Sequence, residues 1–389
     1  MPGKIGLVLA GGGARGAYEA GVLSVLLPAL ERRGERVSIF VGTSVGALSA
    51  TFLSAVGPER TAAALADEAL TRWRAVVADK VYKRPLERLP LTAVEGLGAF
   101  FGIKGVRLRS LLDNAPLTGT LDAWIQWDTL HANVASGAVD AVAVIATATQ
   151  DGRSVAFVET AGAVPADGDK LRWIGTKLRS EHVRASSAIP IVFPPERITE
   201  PADAAGWYVD GGTRLNTPIK PVIDLGAERL IVIALDSVGA PDGGSDAEPT
   251  FGDAALHLLD GTLVDPLVED ARMLGTINRL VQAGGDEYRL IPYIFIAPER
   301  RGAIGRIATE VLQRSAGPLG WLRSPETKAL MRVLGGAGPS QGALLSLLLF
   351  EPTFIERLID LGRADAQRWL DAAPAGDPWH LDTLATRPR

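Results

Sequence analysis

The sequence predicts an α/β protein built on a largely parallel central sheet. Several short apolar runs lack the polar alternation of half-exposed strands, which is typical of strands covered on both faces. Helical segments lie between many of these runs, and strands that alternate with helices favour a parallel sheet. The 389 residues are 47% hydrophobic and 22% charged, a composition close to the average of globular proteins and long enough for one large domain or two ordinary ones.

The elements follow one another along the chain in an alternating order. Apolar runs predict strands over residues 4–10, 37–41, 141–147, 154–159, 207–209, 230–235 and 288–296. Helical patterns cover residues 17–30, 45–56 and 60–78. Phe354, Leu358 and Ile359 recur at helical spacing, so a closing amphipathic helix is expected over residues 352–370.

Changes in composition divide the chain into parts. We expect a catalytic core at residues 1–238, an extension of the same domain with one strand plus helices at 239–371, and a mobile, proline-containing tail at 372–389. Residues 239–249 and 335–342 are rich in Gly and Pro and predict exposed linkers. Residues 83–113 mix Gly and Pro with large apolar side chains. This segment is either an irregular cap or a mobile lid whose Phe100 and Phe101 meet acyl chains or a bilayer.

Charge and residue usage exclude several classes of function. The net charge of −5 does not suggest a nucleic-acid partner. The absence of cysteine excludes disulfides, thiolate metal sites and a cysteine nucleophile, and no complete calcium-loop motif is present. The most apolar segment, residues 342–350, is far shorter than the roughly 18 residues of a spanning helix. We therefore expect a cytoplasmic protein whose membrane contact is at most peripheral.

The glycines after the first predicted strand resemble a dinucleotide fingerprint at first sight. Gly11, Gly13 and Gly16 in "GGGARG" have the G-x-G-x-x-G spacing between a strand and a helix. A dinucleotide site also needs an acidic residue at the end of the second strand. That strand runs directly into "GTSVGALSA" without a carboxylate, so we reject a dinucleotide site.

The second strand ends in a pattern typical of a nucleophilic serine. Gly42, Ser44 and Gly46 form G-x-S-x-G at a strand-to-helix junction, where the serine hydroxyl is exposed above a helix N-terminus. The glycine loop could then supply backbone N–H donors to an oxyanion, each worth roughly 2.7–4 kcal/mol in the transition state. Arg15 either adds positive charge there or forms a surface salt bridge.

A base for Ser44 is not obvious among the histidines. In α/β-hydrolases the serine follows several strands and the order is serine, acid, histidine, whereas Ser44 follows only two strands. We expect structural or surface roles for the four histidines, which are His131, His182, His257 and His380. Asp210 ends a short strand before Gly211 and Gly212 and could accept the proton directly, although Asp-Gly-Gly is also a common turn.

Four blocks in order resemble the patatin-like phospholipase family over roughly residues 4–235. They are "GGGARG", "GTSVG", "ASSAIPIVFPP" at residues 185–195 and "DGG" at residues 210–212. The resemblance implies a three-layer α/β/α fold and a serine hydrolase acting on carboxylic esters of lipids, of phospholipase A or lysophospholipase type. It also implies a phospholipid or other acyl-lipid substrate and no cofactor or metal.

The resemblance assigns roles to residues of this sequence. Ser44 would be the nucleophile and Asp210 the general base. The oxyanion loop would comprise Gly11, Gly12, Gly13, Ala14, Arg15 and Gly16. The supporting glycines would be Gly42, Gly46, Gly211 and Gly212. Ser186 and Ser187 of the third block would be structural rather than catalytic.

Three other functions stay open at this point. An acyltransferase would use the same serine and oxyanion loop with an acceptor other than water. A non-catalytic lipid-binding protein would keep the fold, although it would not require the intact motifs. A histidine-dependent esterase would lose activity on substitution of one histidine, and we expect none of the four to behave in this way.

Overall fold

The computed structural model describes residues 3–57, 59–83, 110–239, 257, 261–284, 288–315, 339–373 and 376–381. Most of the predicted cap or lid at residues 83–113 lies outside these ranges, including Phe100 and Phe101. The same holds for the predicted linkers at 239–249 and 335–342, except at their ends. The division into a core, an extension and a tail stays a prediction.

The centre of the molecule is a nine-stranded sheet. Its strands are β1 Ile5–Leu9, β2 Val37–Thr43, β3 Ala141–Ala148, β4 Ser154–Thr160, β5 Leu171–Gly175, β6 Glu196–Ile198, β7 Gly206–Asp210, β8 Arg229–Ile233 and β9 Tyr293–Ile296. The main order is β5-β4-β3-β2-β1-β8-β9, and β7 pairs with β3 and β6. Along this order, β3, β2, β1, β8 and β9 run parallel to one another. Strands β4 and β5 are also parallel to each other, whereas β3 is antiparallel to both β4 and β7. The predicted largely parallel sheet is confirmed.

Helices cover both faces of the sheet. They are α1 Gly16–Arg32, α2 Val45–Ser54, α3 Ala62–Arg74, α4 Ala115–Trp124, α5 Trp127–Ser136, α6 Ser180–Ser186, α7 Ile219–Asp224, α8 Asp265–Gln282, α9 Ala303–Ser315, α10 Pro339–Leu345 and α11 Pro352–Asp371. Alternate residues of β1 point to opposite faces: Leu7 and Leu9 join one apolar core with α1, α2 and α11, and Val8 joins another with α7 and α8. The fold is therefore three-layered α/β/α, as the resemblance implies.

Two short strands differ from the sequence expectation. β5 and β6 were not predicted, because β5 carries an arginine within five residues and β6 has only three residues, too few for a periodic signal. Conversely, the predicted strand at residues 288–296 is shorter, since only Tyr293–Ile296 pairs with β8.

The end of the chain returns to its beginning. Tyr18 on α1 donates a 2.8 Å hydrogen bond to Asp365 on α11, and both side chains are buried. The backbone of His380 pairs with Tyr293 on β9, and the Trp379 indole donates to Glu35. Within the predicted tail, residues 376–381 thus pack against the core. The Trp379 side chain binds Glu35, and His380 pairs with β9, which is the edge strand of the sheet.

Among the described residues, none of the helices has the length and apolar character needed to span a membrane.

Candidate active site

Ser44 occupies a sharp turn between β2 and α2. Its backbone adopts φ 54° and ψ −121°, a sparsely populated conformation that costs on the order of 1–3 kcal/mol for a residue with a side chain. Gly42 and Gly46 make this turn possible. A Cβ at Gly42 would lie 2.1 Å from the Gly46 carbonyl oxygen, and one at Gly46 would lie 2.3 Å from the Leu9 carbonyl oxygen. The spacing of the motif thus follows from backbone packing.

Asp210 lies at the end of β7, and the Ser44 side chain is close enough to its carboxyl to lower the pKa of that group. Its carboxylate also accepts a 2.7 Å hydrogen bond from the Gly212 amide. Burial raises the pKa of Asp210 from 3.8 to about 7, against the opposing effect of the hydrogen bonds from Ser44 and Gly212. Gly211 allows the turn, because a Cβ there would lie 2.3 Å from the Ile145 carbonyl oxygen. A base that titrates near neutral pH therefore contacts the serine hydroxyl.

The glycine loop follows β1 and lies against the same turn. A Cβ at Gly11 would lie 3.2 Å from Ser44 Cβ, which places the loop directly beside the serine. Four of its amides are engaged internally or with neighbouring segments, those of Gly11, Ala14, Arg15 and Gly16. Within the described residues, the amides of Gly12 and Gly13 donate no hydrogen bond. They are the loop donors open to an anion near Ser44.

A segment from the other end of the chain holds the glycine loop in place. We call residues 343–350 the strap. The Ala14 amide donates a 2.9 Å hydrogen bond to the Leu347 carbonyl oxygen, and Gly13 has φ 56° with no room for a Cβ against the same carbonyl. The buried Arg15 guanidinium donates to Ser346 Oγ at 2.8 Å and to the Ala343 carbonyl at 2.6 Å. Of the two alternatives for Arg15, a surface position is wrong, because the strap covers this side chain.

The third sequence block connects the serine turn to the aspartate. Ser186 Oγ accepts a 2.7 Å hydrogen bond from the Ser44 amide and donates to the Ile145 carbonyl on β3. Two residues later, the Ala188 carbonyl accepts a 2.9 Å hydrogen bond from the Asp210 amide. The structural contribution of Ser186 was expected, but its direct contact with Ser44 was not. Nothing in the local sequence reveals a contact across 142 residues.

An apolar chamber of about 60 Å³ opens at Ser44. One side of the chamber is α2, with Val45 and Leu48, and the opposite side is the strap, with Leu347 and Leu348. The other lining residues include Trp73, Val76, Leu117, Trp124, Ile189, Phe193 and Phe350. The chamber offers apolar surface to a ligand whose polar end is at the serine.

The four histidines lie elsewhere in the described structure, and none hydrogen-bonds to Ser44 or Asp210. His131 contacts Glu159 at 2.8 Å, and His380 packs on the Trp369 ring. His182 is buried and accepts a hydrogen bond from the Arg179 amide, and burial lowers its pKa to about 4. His257 is exposed. This arrangement agrees with the structural and surface roles expected for them.

One buried carboxyl near the site had no signal in the sequence motifs. Glu19 on α1 is fully buried and accepts a 3.0 Å hydrogen bond from Ser49 on α2. Burial raises its pKa to about 8, and hydrogen bonds from Ser49 and the Ala10 amide oppose that rise. Glu19 thus connects α1, α2 and the end of β1, at the start of the glycine loop.

Comparison with known proteins identifies the family of the chain. The family model described as patatin-like phospholipase matches residues 7–223, which is more than half of the chain. No curated protein matches significantly. Among solved structures, the crystal structure of VipD from Legionella pneumophila is 14% identical, and the match covers 95% of this chain and 67% of that one. Its TM-score of 0.32 is too low to support an argument about the fold. The family match over residues that include Ser44 and Asp210 shows that the chain belongs to the patatin-like phospholipase family, which supports lipid acyl hydrolase activity in general.

Proposed function

We propose that this protein is a serine lipid acyl hydrolase, of phospholipase A or lysophospholipase type, that works through a dyad of Ser44 and Asp210. One observation carries the proposal: the buried Asp210 carboxyl lies close enough to the Ser44 hydroxyl for that hydroxyl to lower its pKa, and Ser44 lines an apolar chamber. The substrate is a phospholipid or another acyl lipid that reaches Ser44 from a membrane surface by peripheral contact.

The geometry supports a two-step reaction. Asp210 accepts the Ser44 proton as the serine oxygen attacks the acyl carbonyl. The amides of Gly12 and Gly13 and the N-terminus of α2 stabilise the resulting oxyanion. Asp210 returns the proton to the leaving alcohol, and the acyl group stays on Ser44. Water then attacks the acyl-serine, gives its proton to Asp210 and releases the fatty acid, after which Ser44 recovers its proton.

The pKa of Asp210 sets the pH dependence of the first step. The carboxyl must be ionised to accept a proton, and burial keeps it protonated until pH about 7. The rate of attack by Ser44 should therefore rise with pH and level off above about 7. Replacing Asp210 by Asn should lower the rate by about 10²–10⁴-fold and abolish this rise.

Labelling with a fluorophosphonate probe, followed by intact mass and peptide mapping, tests the proposal. We expect a single adduct on Ser44, none in Ser44→Ala and a slow, pH-independent reaction in Asp210→Asn. Asp140→Asn is the matched control, since Asp140 precedes β3 at the far end from the site and pairs with Lys4. Release of fatty acid from phosphatidylcholines and lysophosphatidylcholines with acyl chains from butanoyl to palmitoyl, measured by mass spectrometry, should follow the same order among the variants for every chain length that wild type cleaves.

Two outcomes would contradict the proposal. Folded protein that gives no adduct across the pH range would favour a non-catalytic lipid-binding protein. An adduct that one of the four histidine-to-alanine variants abolishes would favour a histidine-dependent esterase.

A further inference from the structure

The chamber at Ser44 ends at a wall inside the molecule. A second, smaller cavity of about 10 Å³ lies behind it, lined by Ser49, Phe52 and Leu53 of α2 together with residues of α1 and α3. Three residues line both cavities: Leu48, Trp73 and Trp124. They therefore separate the chamber that holds Ser44 from the space behind it.

The position of the wall is fixed by the helix that carries the serine. α2 forms one side of both cavities, and Leu48 is four residues beyond Ser44, about 6 Å along the helix at 1.5 Å per residue. Leu48 thus marks the depth at which the chamber ends. The next apolar turn of the helix, at Phe52, lies on the far side.

Aromatic contacts make the wall rigid. The rings of Trp73 and Trp124 meet edge-to-face at 6.1 Å, and Phe52 supports Trp124 from behind at 6.4 Å. The Arg72 guanidinium lies 5.0 Å from the Phe52 ring centre and 5.9 Å from that of Trp124. Trp73 also packs against Gly16, where a Cβ would come within 2.7 Å of its ring. These side chains have little freedom to move aside for a long ligand.

We propose that Leu48, Trp73 and Trp124 form the floor of the acyl site and make the enzyme selective for short acyl chains. This inference rests on the proposed function of Ser44. The depth of about 6 Å between Ser44 and Leu48 accommodates roughly four to five carbon atoms of an extended chain. Butanoyl to hexanoyl esters fit between Ser44 and the floor, whereas a palmitoyl chain meets the wall.

The experiment compares 4-nitrophenyl esters from butanoate to palmitate on the full chain. Wild type should give the highest kcat/KM with butanoyl to hexanoyl esters. Trp124→Ala joins the two cavities and should raise the palmitoyl-to-butanoyl ratio of kcat/KM by at least about tenfold, because a single methylene in an apolar pocket is worth roughly 10–200-fold. Leu48→Ala opens the wall from the α2 side and should shift the ratio in the same direction.

Leu53→Ala is the matched control for Leu48→Ala. Leu53 is also on α2 but lines the cavity behind the wall and not the chamber, and it takes no part in the aromatic contacts, so the palmitoyl-to-butanoyl ratio of this variant should equal that of wild type. If Trp124→Ala fails to fold by circular dichroism, Leu48→Ala decides the question alone.

The outcomes separate this inference from the proposed function. If folded Trp124→Ala and Leu48→Ala keep the wild-type palmitoyl-to-butanoyl ratio of kcat/KM while hydrolysis still depends on Ser44, that result overturns the floor of the acyl site and leaves the proposed function standing. A wild-type preference for palmitoyl esters overturns it as well. Hydrolysis that persists unchanged in Ser44→Ala overturns the proposed function, and the floor with it.

Discussion

At the scale of single residues, Ser186 explains how the strained turn at Ser44 is held. The backbone of Ser44 has a conformation that few residues adopt, and its amide donates to Ser186 Oγ at 2.7 Å. The same hydroxyl donates to the Ile145 carbonyl, so the turn is tied to the central strand β3. Under the proposed function, Ser186 is thus a positioning residue, since it would act on the reaction through Ser44.

We expect Ser186→Ala to lower kcat more than it changes KM. Loss of the hydroxyl leaves the Ser44 amide and the Ile145 carbonyl unpaired in a buried site, which costs about 1–3 kcal/mol and lets the turn relax. Under the proposed function, displacement of Ser44 should reduce the rate by about 10–100-fold, while the chamber proposed to bind the acyl chain is unchanged. Steady-state kinetics and the rate of probe labelling measure this.

Ser54→Ala provides the comparison for Ser186→Ala. Ser54 is equally buried and donates to the Thr51 carbonyl at the far end of α2. Its loss should lower the melting temperature without lowering kcat. Equal kcat values for Ser186→Ala and wild type would contradict the positioning role.

Most of the residues at the site could be predicted from local motifs, and the rest could not. The positions of Ser44, Asp210 and the glycines are marked by short patterns, because each pattern reflects a backbone constraint inside one turn. The contacts of Arg15 with Ser346 and of Ser186 with Ser44 join residues 331 and 142 positions apart. Such pairs have no signal in a single sequence.

At the scale of elements, the strap holds the glycine loop in place by hydrogen bonds, although it lies outside the region that matches the family model. The match ends at residue 223, whereas the strap lies at residues 343–350 and contacts Gly13, Ala14 and Arg15. The apolar pattern of residues 342–350, "GALLSLLLF", is compatible with either an interfacial patch or buried core. The structure shows that Leu345, Ser346 and Leu349 are buried, because the strap packs between α9, α11 and the loop.

We expect Arg15→Gln to reduce activity through the loop. The guanidinium donates to Ser346 and to the Ala343 carbonyl, so its loss frees the strap and alters the direction of the Gly12 and Gly13 amides. Removing one aligned oxyanion donor costs about 10²–10³-fold in kcat, and partial misalignment should cost about 10–100-fold. Steady-state kinetics of folded protein measure the effect, and Arg15→Lys should recover part of it.

The comparison for Arg15 is Arg74→Gln. Arg74 also connects an early element to a late one, through a 2.8 Å ion pair between α3 and Glu356 on α11, but this pair is exposed. Exposed ion pairs contribute about 0–1 kcal/mol, so kcat should not change. A loss of kcat in Arg74→Gln as large as that in Arg15→Gln would show that the effect is general destabilisation.

At the scale of the whole molecule, buried carboxyls make the stability depend on pH. Burial raises the pKa of Glu19 to about 8 from an ordinary value of 4.5. The unfolded chain releases this proton above pH about 4.5, but the folded chain keeps it until about 8. The free energy of unfolding therefore decreases as the pH rises through this window, and the contribution of Glu19 is constant above it.

Glu19→Gln should remove this dependence. One unit of pKa difference between the folded and unfolded states corresponds to about 1.36 kcal/mol, so the variant should gain on the order of a few kcal/mol relative to wild type between pH about 5 and about 8. Denaturant unfolding of both proteins at each pH measures the difference. The exposed Glu59→Gln serves as control and should show a constant difference. A constant difference for Glu19→Gln as well would contradict the buried ionisation.

The contact between the strap and the glycine loop has a consequence for the protein during its synthesis. The loop leaves the ribosome well before the strap, because Ser346 follows Arg15 by 331 residues. At about 5–20 residues per second, the loop waits roughly 15–70 s for its partner. Under the proposed function, a nascent chain carries Ser44 and Asp210 long before its oxyanion donors are fixed in place. A lipid-cleaving enzyme built in this order becomes fully active only after the strap has been synthesised.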